Sequence, residues 1–348
     1  MPNKANGIIL AKGGDFKAIE RDIIPAESGD NFALVEVEYL GGCPSDIDYT
    51  KQAYKATWPG LAIGHEGVVR SHEDGQLYII NPLKPCGKCK QCRSGKENIC
   101  NKVRFLGVVG KPEIKRPQVE GLLQGKFYWP KELLHPIPHG VDPITATMCE
   151  PLSCAMHAVN KAELQPSDDI LVLGTGQMGI LIAMILKLHR MPNVLVIGRN
   201  KSRNLLAREI IGPDIYIGRS FRDKYANKKF DIVFDCVGNT ESVDELIYKV
   251  EPGGRIILMG NYSGNDGKVV ENKNYYVRTE ALQIPSRRFT SKEFQIAAGQ
   301  LPLLERELKK IIHPKLFPLT VEGITEAFEL ARSNRNIIKV VMGRGDGQ

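Results

Sequence analysis

Residues 170–179 read ILVLGTGQMG, and this stretch decides the fold of the second half of the chain. The four apolar residues 170–173 form an unbroken run, as expected of a strand buried on both faces of a parallel sheet. Gly174, Gly176 and Gly179 follow at G-x-G-x-x-G spacing, with Gln177 and Met178 before the last of them, and an apolar helix is expected over 178–189. Glycines so spaced permit a tight turn, let the backbone approach a pyrophosphate, and let helix pack on strand while the helix N-terminus faces the anion. Set between a strand and a helix, the motif predicts a dinucleotide-binding domain.

Outward from this motif the texture stays alternating. Further strands are expected at 194–197, 231–236 and 255–259, and helices at 202–211 and 242–250. Alternation of this kind predicts a doubly wound parallel sheet covered by helices, an α/β fold. Residues 1–155 read differently, as short β-type runs at 32–40, 67–70, 77–81 and 127–130 broken by glycine and proline. Beyond 290 the pattern shifts again, through helices at 291–305 and 324–333 to a strand at 337–342. The expected organisation is a β-rich domain over 1–155, a dinucleotide domain over 156–290, and a segment 291–348 returning to the first domain.

The second strand of such a domain ends on the residue that reads the adenosine ribose, an Asp or Glu where the cofactor is NAD. Here the chain reads Val-Ile-Gly198-Arg199-Asn200, with no acid. Arg199, with Lys201 and Arg203 beyond it, could pair a 2′-phosphate by charge and bidentate hydrogen bonding, which predicts NADP over NAD. The stretch Cys236-Val237-Gly238, past the fourth strand, is expected beside the adenine ribose.

Composition agrees with a globular protein of this size. The chain has 348 residues, 42% hydrophobic and 25% charged, which is ordinary globular composition and excludes collagen, coiled coil and wholesale disorder. No apolar run approaches the roughly 18 residues of a membrane span. The N-terminus is too polar for a signal peptide, so a cytoplasmic protein is expected. The net charge of +7 favours anionic small ligands; it is spread without a block of like charges, so a nucleic-acid tail is not expected.

Eight cysteines are present, and Cys86, Cys89, Cys92 and Cys100 cluster at short spacing. Four soft sulfurs match tetrahedral Zn²⁺, and a site filled by four protein ligands is structural. Lys84, Lys88, Lys90, Arg93 and Lys96 lie around it and could offset the negative charge of four thiolates on one Zn²⁺. A different set is scattered: Cys43 in GGCPSDIDY, His65 and Glu66 in IGHEG, and Glu150 in CEPLSCAMHAV.

In that order, and with the cysteine lobe and the glycine motif, these segments resemble the zinc-dependent medium-chain dehydrogenases/reductases of the alcohol dehydrogenase superfamily. The likeness is to the branch of sorbitol, L-idonate and other polyol dehydrogenases. The resemblance implies a GroES-like catalytic domain, a Rossmann domain and two Zn²⁺ per chain, the catalytic one held by Cys43, His65 and Glu150. One thiolate, one neutral imidazole and one carboxylate bring Zn²⁺ to formal charge zero with a fourth position open. A second permanent carboxylate would make the site anionic, so Glu66 is assigned a neighbouring or transient role. Cys149 and Cys154 compete with Glu150 as third ligand. Ser45 is implied as the proton-relay hydroxyl and Tyr49 as a lining residue.

Arg104, Phe105 and Arg288 resemble segments of the L-idonate branch, which implies a polyol, aldonate or sugar-phosphate type of substrate. The same likeness implies a homodimer or homotetramer joined through Rossmann sheet edges. One departure stands out: the stretch RSHEDGQLYIINP after GHEG is shorter than the family's usual turn. Two other readings explain less. A zinc-ribbon nucleic-acid binder leaves the glycine motif unexplained, and a zinc-free quinone or enone reductase has no need of the scattered ligands.

Overall fold

In the computed structural model the apolar run before the glycines forms the strand Asp169–Leu173, flanked on both sides by parallel partners. Residues 4–11, 14–23, 31–52, 60–107, 119–212, 216–218, 227–238, 246–260 and 273–345 are described. The six parallel strands lie in the order Tyr216–Gly218, Asn193–Ile197, Asp169–Leu173, Phe230–Asp235, Val250–Leu258, Leu282–Pro285. In chain order that is 3-2-1-4-5-6, the doubly wound Rossmann arrangement, whose ligands bind where the order reverses. Register brings the carboxyl ends level, with Leu173 opposite both Ile197 and Asp235. Gly174, Gly198 and Cys236 therefore leave the sheet along one edge.

The helix Gln177–Leu188 packs an almost wholly buried surface, Ile180 to Leu186. Helix Lys201–Ile211 begins at an Asn200 cap, whose Oδ1 accepts from the Arg203 amide. One expectation fails: no helix runs to 250. Residues 241–245 lie outside the described ones, Ile247–Lys249 is a single 3-10 turn, and Val250 already pairs with Phe230 in the sheet. Pairing with the buried Phe230 edge overrides the weak local helical pattern.

Contacts divide the chain into two units, Pro151–Arg288 and a second made of Met1–Glu150 with Phe289–Gln348. The latter is built on a seven-stranded sheet. Its strand Phe32–Gly41 is central, pairing antiparallel with Glu66–Ser71, with Lys126–Pro130 and with the C-terminal strand Lys339–Gly343. Alternate residues Ala33, Val35 and Val37 enter a core with Val69, Phe127, Trp129, Phe317 and Phe328. The 291–305 helix extends further than its pattern suggested, as Ser291–Ile311, started by a capping box between Thr290 and Glu293. The β-type reading of 1–155 missed the helix Pro44–Gln52 and the start of the helix Cys149–Lys161. The shortened turn after the GHEG segment is closed by Gly75 at φ 71°, between strands Glu66–Ser71 and Leu77–Ile80.

Candidate active site

In the lobe, the four cysteine sulfurs lie within 4.8 Å of one another. Sulfur–sulfur distances are 3.4 Å for Cys89–Cys92, 3.7 Å for Cys89–Cys100 and 4.0 Å for Cys86–Cys92. Four sulfurs tetrahedral about one ion at about 2.3 Å would sit about 3.8 Å apart, so the set fits Zn²⁺; a disulfide would require about 2 Å. Backbone N–H groups of the lobe point at some of its sulfurs. The Cys92 amide donates to Cys89 Sγ at 3.5 Å and the Lys102 amide to Cys100 Sγ at 3.3 Å. Backbone N–H groups of Lys88 and Cys89 pull the Cys86 thiol down to about 6, while desolvation and neighbouring sulfurs push Cys92 up to about 12.

The second cluster is assembled by the sheet. Cys43 follows the strand Phe32–Gly41, and its carbonyl accepts from the Asp46 and Ile47 amides as the helix Pro44–Gln52 begins. His65 immediately precedes the neighbouring strand and Glu66 opens it, opposite Gly41. One donor atom from each of Cys43, His65 and Glu66 falls within 4.8 Å of the others, so this set also fits a soft divalent cation. Glu150 is buried at the head of its helix and is not one of those three, although its charge acts on the Cys43 thiol. The Cys149 thiol points elsewhere, donating to the Phe294 carbonyl at 3.8 Å.

Burial, and then the Asp46 carboxylate, push the Cys43 thiol up to about 12. A thiol so placed needs a cation beside it to ionise. Ser45 Oγ lies 3.1 Å from Cys43 Sγ. The side chain of Tyr49 lies outside the described residues.

Three residues at this site were not singled out by their sequence. Asp46 places Oδ1 3.5 Å from His65 Nδ1, and neither buried atom has a normal hydrogen bond among the described residues. A carboxylate on one imidazole nitrogen fixes the ring so that the other can serve a metal. Lys339 is buried on the C-terminal strand and pairs with Glu66 Oε2. Burial lowers its ammonium to about 8, against the pull of Cys43 and Asp46. The third is Gly41, between the two strands: a Cβ there would meet Lys339 Cε at 2.8 Å and Glu66 Oε2 at 2.9 Å, so only glycine leaves the pair room to meet. A lone lysine inside the apolar run IIKVVM was the available signal for Lys339.

Phe105 stacks obliquely near His65, with ring centroids 5.6 Å apart, and near Phe289 at 6.2 Å. Arg104 precedes it, half-buried, on the two-residue strand Arg104–Phe105. Arg288 belongs to the other unit, where it takes a positive φ of 56°.

The dinucleotide turn satisfies the steric demands of its glycines. Gly174 has φ 113° and its amide donates to the Ile197 carbonyl at 2.7 Å. A Cβ on Gly179 would lie 1.9 Å from the Gly174 carbonyl oxygen. Gly176 caps the helix Gln177–Leu188, leaving the first amides, at Gln177 and Met178, without helical partners, the anion-binding arrangement of a helix N-terminus. Arg203 reaches this turn, its Nη1 3.7 Å from where a Gly176 Cβ would stand. Arg199 and Lys201 are exposed at the start of the next helix. Asp235 Oδ1 accepts from the Val237 and Gly238 amides, which shapes the loop after the fourth strand. Burial and Asp235 push the intervening Cys236 thiol up, which keeps it neutral.

Comparisons with known proteins agree with both halves. Residues 29–139 match the alcohol dehydrogenase GroES-like domain, and residues 176–300 match the zinc-binding dehydrogenase domain. The chain is 28% identical over 364 aligned residues to an uncharacterized zinc-type alcohol dehydrogenase-like protein of Escherichia coli K12, covering 99% of this chain and 100% of that one. It is 25% identical to the L-idonate 5-dehydrogenase of Vitis vinifera, over 88% and 86% of the two chains. The solved L-idonate 5-dehydrogenase of Escherichia coli superimposes with a TM-score of 0.82 at 25% identity, over 98% of each chain. No helix among the described residues is long and apolar enough to cross a membrane. The two domain matches and these relatives place the chain in the zinc-dependent medium-chain dehydrogenase/reductase family, as an oxidoreductase of the polyol and sugar dehydrogenase type.

Proposed function

We propose that this enzyme transfers a hydride between NADP(H), in preference to NAD(H), and the carbinol or carbonyl carbon of a polyol, aldonate or sugar phosphate. The observation that carries the reaction class is the grouping of Cys43, His65 and Glu66 around one point, beside a hydroxyl, in a chain that also folds a dinucleotide turn. Zinc held by Cys43, His65 and Glu150 would supply a Lewis acid for the substrate oxygen, and a second zinc in the cysteine lobe would be structural. The nicotinamide would supply the hydride donor or acceptor.

The chain's own groups do the rest. Ser45 Oγ, which can both accept and donate, takes the hydroxyl proton of the substrate and passes it on towards solvent. Asp46, whose Oδ1 lies 3.5 Å from His65 Nδ1, is the carboxylate we assign to orienting the His65 ring. Lys339 neutralises Glu66 and holds one of its oxygens, which supports a neighbouring role for Glu66 in which permanent ligation is avoided. Phe105 closes one side of His65 with an apolar ring and excludes water there. Arg104 and Arg288 are the residues we assign to an anionic substrate group, and the name of the L-idonate relatives agrees with an acid sugar.

The preference for NADP rests on the absence of an acid in Gly198-Arg199-Asn200 and on the cations Arg199, Lys201 and Arg203. We further assign the enzyme to the cytoplasm, and to a homodimer or homotetramer joined through the Rossmann edge strands. Steady-state oxidation of a panel of polyols, aldonates and their phosphates, each with NADP and with NAD, tests the proposal. A kcat/KM at least about tenfold higher with NADP, on a substrate of one of these classes, is expected. Equal or better use of NAD would overturn the cofactor assignment, and turnover confined to enones or quinones would overturn the substrate class.

A further inference from the structure

We infer that Thr175 and Asn204 help to set which dinucleotide this protein accepts, because together they fill the space that a ribose-binding acid would need. The inference rests on the NADP reading above and deepens it. Gly198 is the first residue beyond the second parallel strand, buried, where the fold places the side chain that meets the ribose. A Cβ built on Gly198 would lie 2.1 Å from Thr175 Oγ1, 2.5 Å from Asn204 Oδ1 and 2.6 Å from Thr175 Cγ2. These distances are far inside van der Waals contact, so no side chain of any kind can be seated there while those two residues keep their positions. The Cβ would point at the glycine-rich turn itself, since Thr175 is its second residue.

The two residues do keep their positions. Thr175 Oγ1 donates to Asn204 Oδ1 at 2.9 Å, and Asn204 Nδ2 donates to the Gly198 carbonyl at 2.8 Å. Both side chains are buried, and Asn204 sits on the helix whose first turn is pinned by the Asn200 cap. Two hydrogen bonds in series thus tie turn, helix and strand end together with neutral groups. Breaking them would leave buried polar atoms unpaired.

The chemical consequence is a floor without negative charge. Where an NAD-binding domain offers a carboxylate to two ribose hydroxyls, this one offers an amide and a hydroxyl already committed to each other. A 2′-phosphate meets no repulsion there, and Arg203 stands beside the same turn. Replacing Gly198 by Asp should therefore fail to create an NAD site unless Thr175 and Asn204 are cut back as well. Asn204→Asp, which adds charge without bulk, should reach the same end by a different route.

Isothermal titration of NADPH and NADH into the full-length protein tests this without depending on turnover. Gly198→Asp alone is expected to weaken both cofactors by about tenfold or more, because the loop must move to admit it. Gly198→Asp combined with Thr175→Ala and Asn204→Ala is expected to bind NADH at least about tenfold tighter than Gly198→Asp alone, with no recovery of NADPH. Asn204→Asp should lower the NADPH-to-NADH affinity ratio by about tenfold or more, through repulsion of the 2′-phosphate. Tight NADH binding by the single Gly198→Asp variant would overturn the inference. Should the triple variant not fold by circular dichroism, the isosteric Asn204→Asp decides, and an unmoved ratio overturns it. A wild-type protein that prefers NADH would sink the NADP reading separately, while the comparison of single and triple variants still judges the space-filling pair.

Discussion

The two candidate metal centres are built on opposite principles. The cysteine lobe draws all its candidate ligands from 86–100, and the peptide N–H groups of Cys92 and of Lys102, just beyond it, donate to its sulfurs. Among the described residues the cluster at Cys43 has no such local supply. Its members come from the end of one strand, the start of another and, through Lys339, the far C-terminus, and a buried ion pair takes the place of backbone dipoles. The difference teaches that one candidate site is written into a single loop, whereas the other is held from outside by the sheet.

Removal of one ligand from each centre should give the widest contrast. Cys43→Ala is expected to lower kcat by at least about a thousandfold, with NADPH affinity nearly intact and one zinc per chain retained in metal analysis. Cys100→Ala should lose the other zinc and expose the 86–100 loop to protease, while the remaining folded enzyme keeps measurable turnover. Loss of turnover to the same extent in both would break the distinction between open and closed sites.

A step smaller is the buried ion pair. Lys339→Met leaves Glu66 buried without its partner and should cost about 3–5 kcal/mol in denaturant unfolding, whereas Lys339→Met with Glu66→Gln should recover much of that. No such rescue pair exists among the cysteines of the lobe, whose stability is expected to follow zinc alone.

The smallest effect is a difference in thiol reactivity after chelation. The lowered pKa of Cys86, about 6, makes it thiolate over most of the range above pH 6, so its alkylation should rise through that region and level off near neutrality. Cys43, with a pKa pushed up to about 12, should remain protonated and slow throughout, as read by mass spectrometry of the two peptides. Faster labelling of Cys43 at pH 7 would show that the local electrostatics have been misassigned.

Periodicity and spacing along the chain determined a good deal. The strand–turn–helix at 170–189 needs only its own glycines and apolar residues, and it appears within a residue of where the pattern puts it. The lobe is equally local. Elements that depend on distant partners were not legible: the strand beginning at Val250 exists because Phe230 lies beside it, and the helix Pro44–Gln52 is hidden in a segment that reads as β-rich.

What only the tertiary structure decided is the set of groups that act across chain distance. Nothing near Glu66 in sequence announces Lys339, 273 positions away, and the role of Gly41 as the gap between them emerges only when three strands lie side by side. Gly198 likewise reads simply as a missing acid until Thr175 and Asn204 are seen filling its place. Hydrophobic pattern and turn chemistry are carried by neighbouring residues and are therefore written in order along the chain. Pairing of buried charges and exclusion of side-chain volume are properties of positions in space, and the fold must form before they exist.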